Sequence, residues 1–204
     1  NPGFLMDMLV IALTGVYQRI DKVQAERVMN AATRRVPFQK KIGAGLSIAE
    51  FEKAIASERI SGHVGLEQSI GMIASALRWD LDRIRVDSVE PVIAQKDVAS
   101  DAIKIRRGHV AGLRQTARGM MKRKDVIALD FRAYIGAKEE YDAVTIDGVP
   151  PIRQRISPCV HGDLGTVAIV VNSIPKVVNA QPGLVTMKDL PVPSAAVEDM
   201  RKYL

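Results

Sequence analysis

Residues 126–135 alternate between apolar and polar side chains, and this period of two constrains the fold more than any other feature of the sequence. The odd-numbered positions are apolar and comprise Ile127, Leu129, Phe131, Ala133 and Ile135. Successive side chains of a strand point to opposite faces of a sheet, so the pattern predicts a strand with one buried and one polar face. A weaker alternation over 103–118, with turn residues such as Gly108 and Gly136, extends the prediction to an antiparallel meander over 84–146.

Helical signals precede that region. Ser47 and Glu50 have the spacing of a capping box, in which each side chain satisfies a free backbone N–H at the start of a helix. A stripe of apolar residues at helical spacing predicts another helix over 65–78. The stripe consists of Leu66, Ile70, Ile73, Ala74 and Leu77.

The two ends of the chain are predicted to carry apolar helices. The first would be capped by Asn1, with Pro2 in its first turn, and would run to Val16. The last would follow residues 161–163, would be buried, and would be kinked or ended by Pro175.

The remaining segments complete the fold prediction. A strand is expected over 20–29 and a short one after Pro151, whereas 31–46 has no clear period and predicts a loop. The whole predicts an α+β fold in which helices pack on one face of a mixed, mainly antiparallel sheet. Because 204 residues suffice for one domain with a core, we expect a single domain over 1–204 with a tail at 181–204.

Composition excludes several classes of protein. The single cysteine, Cys159, excludes an internal disulfide framework and indicates a reducing compartment, which predicts a cytoplasmic protein. The apolar run from Phe4 to Val16 is shorter than the about 20 residues that span a bilayer, so no membrane association is expected. Neither metal-ligand spacing nor a Ser-His-Asp or paired-carboxylate arrangement stands out, so the residues by themselves predict no metal site and indicate no catalytic constellation.

A basic stretch lies between Ala102 and Lys124, where there are eight Lys or Arg residues and no acidic one. One interpretation is a nucleic-acid surface. The stretch has no aromatic residue that could stack on bases. The other interpretation is a polar sheet face on which Arg114 and Arg118 pair with acids such as Asp130, and we therefore expect no nucleic-acid partner.

Three residues are candidates for holding an anionic ligand. Arginine binds a carboxylate through two parallel hydrogen bonds, so Arg27 or Arg34 could anchor an acidic substrate, the alternative being a surface salt bridge. His63 could donate a hydrogen bond to a ligand anion or could simply satisfy a loop carbonyl.

A fourth candidate, His161, begins the run His-Gly-Asp-Leu-Gly-Thr at the predicted start of the last helix. Free N–H groups and the helix dipole favour an anion at such a position. The alternative is that Asp163 caps the helix and that His161 is a buried residue whose hydrogen bonds are satisfied.

Four runs of residues together resemble one family. They are Asn1 to Phe4 with Asp7, Thr33 to Gly43, His63 to Gly65, and His161 to Asp163 followed by Val171 to Pro175. With these runs the chain resembles the C-terminal portion of the dihydrodipicolinate-reductase-like NAD(P)-dependent dehydrogenases. Within them it is most similar to the 2,4-diaminopentanoate dehydrogenase and native amine dehydrogenase branch. No His-His-x-x-Lys motif is present, which counts against the reductase branch proper.

The resemblance implies that a separate N-terminal Rossmann domain binds NAD or NADP and supplies the acid/base carboxylate. This chain has no Gly-x-Gly-x-x-Gly run and begins with Asn1 rather than methionine, so we expect it to be part of a longer protein. It would bind the substrate of a reversible oxidative deamination, an amine or diamino acid, and would form a homodimer through its sheet. By position, the resemblance places Arg27, Arg34, His63 and His161 at the substrate and Asn1 at the nicotinamide.

Two alternatives stay open on the sequence. One is an imine or enamine reductase domain of the dihydrodipicolinate-reductase type. The other, favoured by the missing glycine fingerprint, is a non-catalytic ligand-binding or assembly module.

Overall fold

The computed structural model describes residues 3–203, which contain five α-helices and nine β-strands. The helices are α1 (Met8–Thr14), α2 (Val36–Lys41), α3 (Ile48–Ala56), α4 (Leu66–Leu77) and α5 (Gly162–Val178). The strands are β1 (Arg19–Asn30), β2 (Arg83–Val86), β3 (Glu90–Ile93), β4 (Val98–Ala99), β5 (Lys104–Ile105), β6 (Val110–Met121), β7 (Lys124–Tyr134), β8 (Tyr141–Val149) and β9 (Ile152–Ile156). Short 3-10 turns occupy Ala31–Thr33 and Met200–Lys202.

Seven strands form one sheet in the order β2-β6-β7-β1-β8-β9, with β3 also paired to β6. The pair of β1 and β7 is parallel and the other pairs are antiparallel, which confirms the predicted mixed, mainly antiparallel sheet. The simple meander predicted over 84–146 is wrong between β7 and β8, because β1 lies between them. Arg27 of β1 is opposite Phe131 of β7 on one side and Asp142 of β8 on the other.

Helices α1 and α4 cover one face of this sheet, as predicted for the α+β class. Leu66, Ile70 and Ile73 are almost completely inaccessible to solvent and fix α4 against the strands. The capping box is also confirmed, since the Ser47 hydroxyl accepts from the Glu50 backbone N–H while the Glu50 carboxylate accepts from that of Ser47.

Two predictions near the N-terminus are wrong. Helix α1 begins at Met8, not at residues 1 and 2, because the Asp7 carboxylate accepts the Met8 backbone N–H at 2.7 Å and ends the turn that precedes the helix. Asn1 and Pro2 lie outside the described residues. The predicted loop over 31–46 contains α2, in which Pro37 occupies the first turn, where the missing N–H of proline costs no helical hydrogen bond.

The opposite face of the sheet is polar and carries several ion pairs. Arg114 and Arg132 both donate to the Asp130 carboxylate, with shortest distances of 2.8 and 2.6 Å. Arg118 lies 3.7 Å from the carboxylate of Asp125. The interpretation of the basic stretch as an ion-paired sheet face is therefore confirmed for Arg114 and Arg118.

Helix α5 is predicted to be buried, and this prediction is wrong within residues 3–203. Val167 and Val170 are 64% and 62% exposed, although a helix that is apolar on every side is typical of a covered position. Pro175 does not end the helix, which continues to Val178. None of the helices in the described part of the chain is both long and apolar enough to cross a membrane.

Candidate functional site

A cavity of about 500 Å³ opens between the turn before α1, the end of α2, and the starts of α4 and α5. Met29 of β1 and Phe131 of β7 line it from the sheet. Phe131 is one of the odd-numbered residues whose alternation predicts β7, so the strand pattern also places an aromatic ring in the cavity wall. The charged and histidine side chains that line the cavity are Asp7, Arg34, Lys41 and His63.

His63 lies in the cavity wall, as the resemblance implies for a substrate-binding residue. Its ring stacks on Phe131 with centroids 4.0 Å apart and an interplanar angle of 17°, and its backbone N–H donates to Gln115 Oε1 at 2.8 Å. Burial, assisted by nearby positive charges including Lys41, lowers the pKa of His63 from 6.5 to about 3. The imidazole is therefore neutral at pH 7 and can offer a ligand one donor or one acceptor nitrogen, without a positive charge.

Arg34 also lines the cavity, but its guanidinium is already bound. Its Nε and Nη2 donate to the two carboxylate oxygens of Asp163 at 3.1 and 2.9 Å, and its Cζ lies 4.2 Å from the Phe38 ring centre. Burial raises the pKa of Asp163, but the hydrogen bonds and positive charge of Arg34 outweigh it and lower that pKa below its ordinary value. Asp163 thus pairs with Arg34 and does not cap α5. The N-cap residue of that helix is His161.

Gly162 makes this arrangement possible. A Cβ at that position would lie 2.3 Å from Arg34 Nη1, far inside any van der Waals contact. The guanidinium therefore packs directly on the backbone at the start of α5, and a side chain at position 162 would have to displace it.

Arg27 does not line the cavity, although the sequence makes it a substrate-binding candidate. Its side chain is completely buried, its Nη1 donates to Asp142 Oδ1 at 2.6 Å, and its Nη2 donates to the Val160 carbonyl. The Val160 backbone N–H in turn donates to Asp142 Oδ2 at 2.9 Å. Arg27 thus joins β1 and β8 to the segment that leads into α5.

His161 lines a second, smaller cavity of about 190 Å³ on the other side of Arg34. Its Nδ1 is buried and has no hydrogen-bond partner within residues 3–203, so the expectation of a satisfied buried histidine does not hold for that atom. Met29, Arg34 and Gly162 separate the two cavities by lining both. The structure therefore brings Arg34 and His63 into one cavity and places His161 behind it.

Asn1, the predicted nicotinamide contact, lies outside the described residues. Asp7 and Lys41 line the cavity although the sequence predicts no binding role for either. Asp7 is 6% exposed, and its second carboxylate oxygen accepts from the Ser69 hydroxyl at 2.8 Å. Asp7 interrupts the apolar run from Phe4 to Val16, and this is the signal that could have identified it. An aspartate in such a run is typical of a helix cap or a functional site. Lys41 lies in the run from Thr33 to Gly43 that carries the family resemblance, but the segment predicts a loop and not a helix, so no direction can be assigned to the side chain.

No group of three or more His, Cys, Asp or Glu side chains within residues 3–203 is arranged to hold a metal ion. The chemistry that the cavity offers is instead hydrogen bonding and charge, from a buried acid, a lysine and a neutral histidine. Such a set can hydrogen-bond to a small polar ligand.

Comparisons with known proteins agree with this description. A family model described as the 2,4-diaminopentanoate dehydrogenase C-terminal domain matches residues 4–204. The 2,4-diaminopentanoate dehydrogenase of Acetoanaerobium sticklandii is 37% identical over 208 residues, which cover 100% of this chain. The chain spans 59% of the length of that relative.

A solved structure of amine dehydrogenase from Mycobacterium smegmatis has a TM-score of 0.79 to this chain at 21% identity. The match covers 93% of this chain and 56% of the solved one, and it establishes a shared fold. Together with the family model, it confirms the resemblance that the four sequence runs indicate.

Proposed function

The chain belongs to the family of 2,4-diaminopentanoate dehydrogenase C-terminal domains, and from this we propose that it is the substrate-binding and dimerisation half of an NAD(P)-dependent dehydrogenase. The reaction would be the reversible oxidative deamination of an amine or diamino acid to a carbonyl compound and ammonia. The observation that carries the proposal is the cavity that Asp7, Lys41 and His63 line. A curated relative named for a diamino-acid substrate supports the same assignment.

NAD or NADP would be bound mainly outside this chain, because neither its sequence nor the fold of residues 3–203 has the features of a dinucleotide-binding unit. The sequence has no Gly-x-Gly-x-x-Gly run. Within residues 3–203, the parallel pair consists of β1, which ends at Asn30, and β7, which begins at Lys124. The segment between the end of β1 and the start of β7 is far longer than the connection in a βαβ unit, which has roughly 30 residues in all. The placement of Asn1 at the nicotinamide remains a prediction.

The task of this chain would be to bind and orient the substrate. Fixing the reacting groups in position removes much of the entropic barrier to reaction. His63 is suited to this because stacking on Phe131 fixes its ring and its neutral state lets it hydrogen-bond to an amine nitrogen without repelling an ammonium group. Arg34 would act with Asp163 as a fixed pair at the cavity edge, and substrate contacts by Arg27 and His161 remain predictions.

Dimerisation would use the sheet face that α1 and α4 leave uncovered. A hollow of about 790 Å³ on that face is lined by Val28, Tyr134 and Tyr141 among others. Apolar and tyrosine side chains next to paired charges are typical of interfaces between subunits. Sedimentation equilibrium of the full-length protein should give twice the chain mass, and a monomer at micromolar concentration would contradict this part of the proposal.

The function is tested with the full-length protein. Formation of NADH or NADPH is measured with 2,4-diaminopentanoate and with simple amines, and ammonia-dependent oxidation of the reduced cofactor is measured with amino ketones. Turnover that requires ammonia in the reductive direction supports the proposal. Absence of turnover with every amine and amino ketone would overturn it.

A further inference from the structure

We propose that Lys41 binds the carboxylate of the substrate and is the residue by which the cavity selects an amino acid over a plain amine. This inference rests on the proposed function, since it assumes that the cavity near His63 is where the substrate binds. It starts from a comparison of the positive charges at and around that cavity.

The two arginines that the sequence favours as carboxylate anchors both have a carboxylate partner inside the chain. Arg27 is bound to Asp142 and is completely buried, and Arg34 makes two hydrogen bonds to Asp163. To reach either guanidinium, an anionic ligand would have to displace the carboxylate already bound to it. The free energy lost with the existing ion pair would then offset the free energy gained from the new one. Neither arginine therefore offers a free positive charge.

His63 offers no charge either, because its buried imidazole is neutral at pH 7. It can donate one hydrogen bond to a carboxylate. A neutral donor of this kind contributes less to the binding of an anion than a charged one does.

Lys41 is the remaining cationic side chain at the cavity. It lies in the last turn of α2 and lines the cavity wall. Across residues 3–203 it makes no ion pair with an acidic side chain, in contrast to Arg27 and Arg34. Its charge also contributes to the low pKa of His63, which places the ammonium group within electrostatic reach of the imidazole. The ammonium group is therefore both close to the site and available to a ligand.

The helix that carries Lys41 is held in a defined position. Gln39, almost fully buried, donates to the Arg34 carbonyl at 2.7 Å and accepts from the Ser100 hydroxyl at 2.7 Å. Gly43, with φ of +75°, packs so closely that a Cβ there would lie 2.5 Å from the Phe51 ring. A lysine on a fixed backbone loses less freedom on binding a ligand than one on a mobile loop.

The rest of the cavity complements this assignment. Asp7 supplies a carboxylate that accepts hydrogen bonds from the Met8 backbone N–H and the Ser69 hydroxyl, so that an acidic side chain lines the cavity together with the lysine. A ligand that carries a carboxylate offers a partner to the Lys41 ammonium group, whereas a simple amine offers none. The chemical class that follows is an amino acid with a free carboxylate.

The chain provides a matched control for the test. Lys40 precedes Lys41 in the same helical turn and is exposed, but it does not line the cavity. Lys41→Met and Lys40→Met in the full-length protein remove the same charge at adjacent positions. The two probes are 2,4-diaminopentanoate and 1,3-diaminobutane, which has the same skeleton without the carboxylate.

We expect Lys41→Met to raise KM for 2,4-diaminopentanoate by about 10- to 100-fold, the range for loss of one charge-assisted hydrogen bond, with a smaller effect on kcat. KM for 1,3-diaminobutane should change less than about twofold, and Lys40→Met should leave both KM values near those of the wild type. Lys41→Arg should recover part of the loss, because it restores the charge.

Two results would overturn the assignment. One is an unchanged KM for 2,4-diaminopentanoate in Lys41→Met, and the other is an equal rise in KM for both probes. Calorimetric titration of 2,4-diaminopentanoate into wild type and Lys41→Met separates this inference from the proposed function. If the wild type binds the probe without turning it over, the proposed function fails, and the difference in Kd between the two proteins still decides the role of Lys41. If the wild type does not bind the probe, both fail.

Discussion

Two walls of the cavity are held in different ways, one formed by the sheet with α4 and the other by the start of α5. On the sheet side, Ile70 and Ile73 of α4 are fully buried and His63 stacks on Phe131. On the α5 side, polar contacts hold the start of the helix, and most of its apolar side chains remain exposed within residues 3–203. The first wall is therefore held by apolar burial and the second by ion pairs and backbone hydrogen bonds.

The difference indicates where the cavity can change shape. Segments with few buried apolar contacts open locally at lower free energy than the core does. We therefore expect the α5 wall to move while the sheet wall remains in place. Substitutions that remove one type of attachment at a time test this expectation.

The largest effect is expected at Arg27, which ties the α5 wall to the sheet. Arg27→Met leaves Asp142 buried without its positive partner, and breaking a buried pair in this way costs about 3–5 kcal/mol. Urea denaturation should show this loss in the free energy of unfolding. Hydrogen exchange should show it first in the amides from Val160 into α5.

An exposed pair provides the control. Arg19→Met removes the partner of Asp21 on the surface and should change the free energy of unfolding by less than about 1 kcal/mol. The double variant Arg27→Met, Asp142→Leu should recover much of the stability, since it removes both buried charges. A loss below about 1 kcal/mol for Arg27→Met alone would show that Asp142 is not held by this pair.

The second largest effect is expected from a pair of substitutions that compare α4 with α5. Ile73→Ala creates a cavity in the sheet wall and should cost about 2–5 kcal/mol. Val170→Ala on α5 removes a side chain that is 62% exposed and should cost no more than about 0.5 kcal/mol. The free energies of unfolding of both variants are measured under the same conditions. A similar loss for Val170→Ala would mean that α5 is packed in the full-length protein and that the two walls are alike.

The sheet wall is also the part of the site that could be predicted from local pattern. The alternation in β7 assigns Phe131 to the core side, and the apolar stripe of α4 identifies the helix that covers it. The same parity in β1 places Arg27 with Val23 and Ala25, both buried, which is a signal that its side chain points inward. A charged residue at a core position is more often paired inside the protein than free to bind a ligand.

The α5 wall and the position of Lys41 could not be predicted in this way. The bonds from Arg27 and Arg34 to Asp142 and Asp163 connect residues more than 100 positions apart, and nothing in the local sequence determines such partners. The insertion of β1 between β7 and β8 is a long-range pairing of the same kind. Helix α2 is only six residues long, too short for a periodic pattern, so the direction of Lys41 became visible only in the folded chain.

The smallest effect concerns pH and is confined to the sheet wall. His63 has a pKa of about 3 in the folded protein, mainly because it is buried, against an ordinary value of 6.5. A group whose pKa is lowered by folding stabilises the protein fully above its unfolded pKa and loses that contribution as the pH falls toward the folded value. As the pH falls from 7.5 to 6.5, the free energy of unfolding should decrease by about 0.4 kcal/mol because of His63, and the decrease should become larger at lower pH.

Nuclear magnetic resonance measures this directly. The ring signals of His63 should show no titration between pH 5 and 8, whereas a solvent-exposed histidine titrates within that range. His63→Gln should remove the corresponding part of the pH dependence of unfolding. An inflection for His63 near pH 6.5 would show that its ring is hydrated. The sheet wall would then open as readily as the α5 wall, and the contrast between them would disappear.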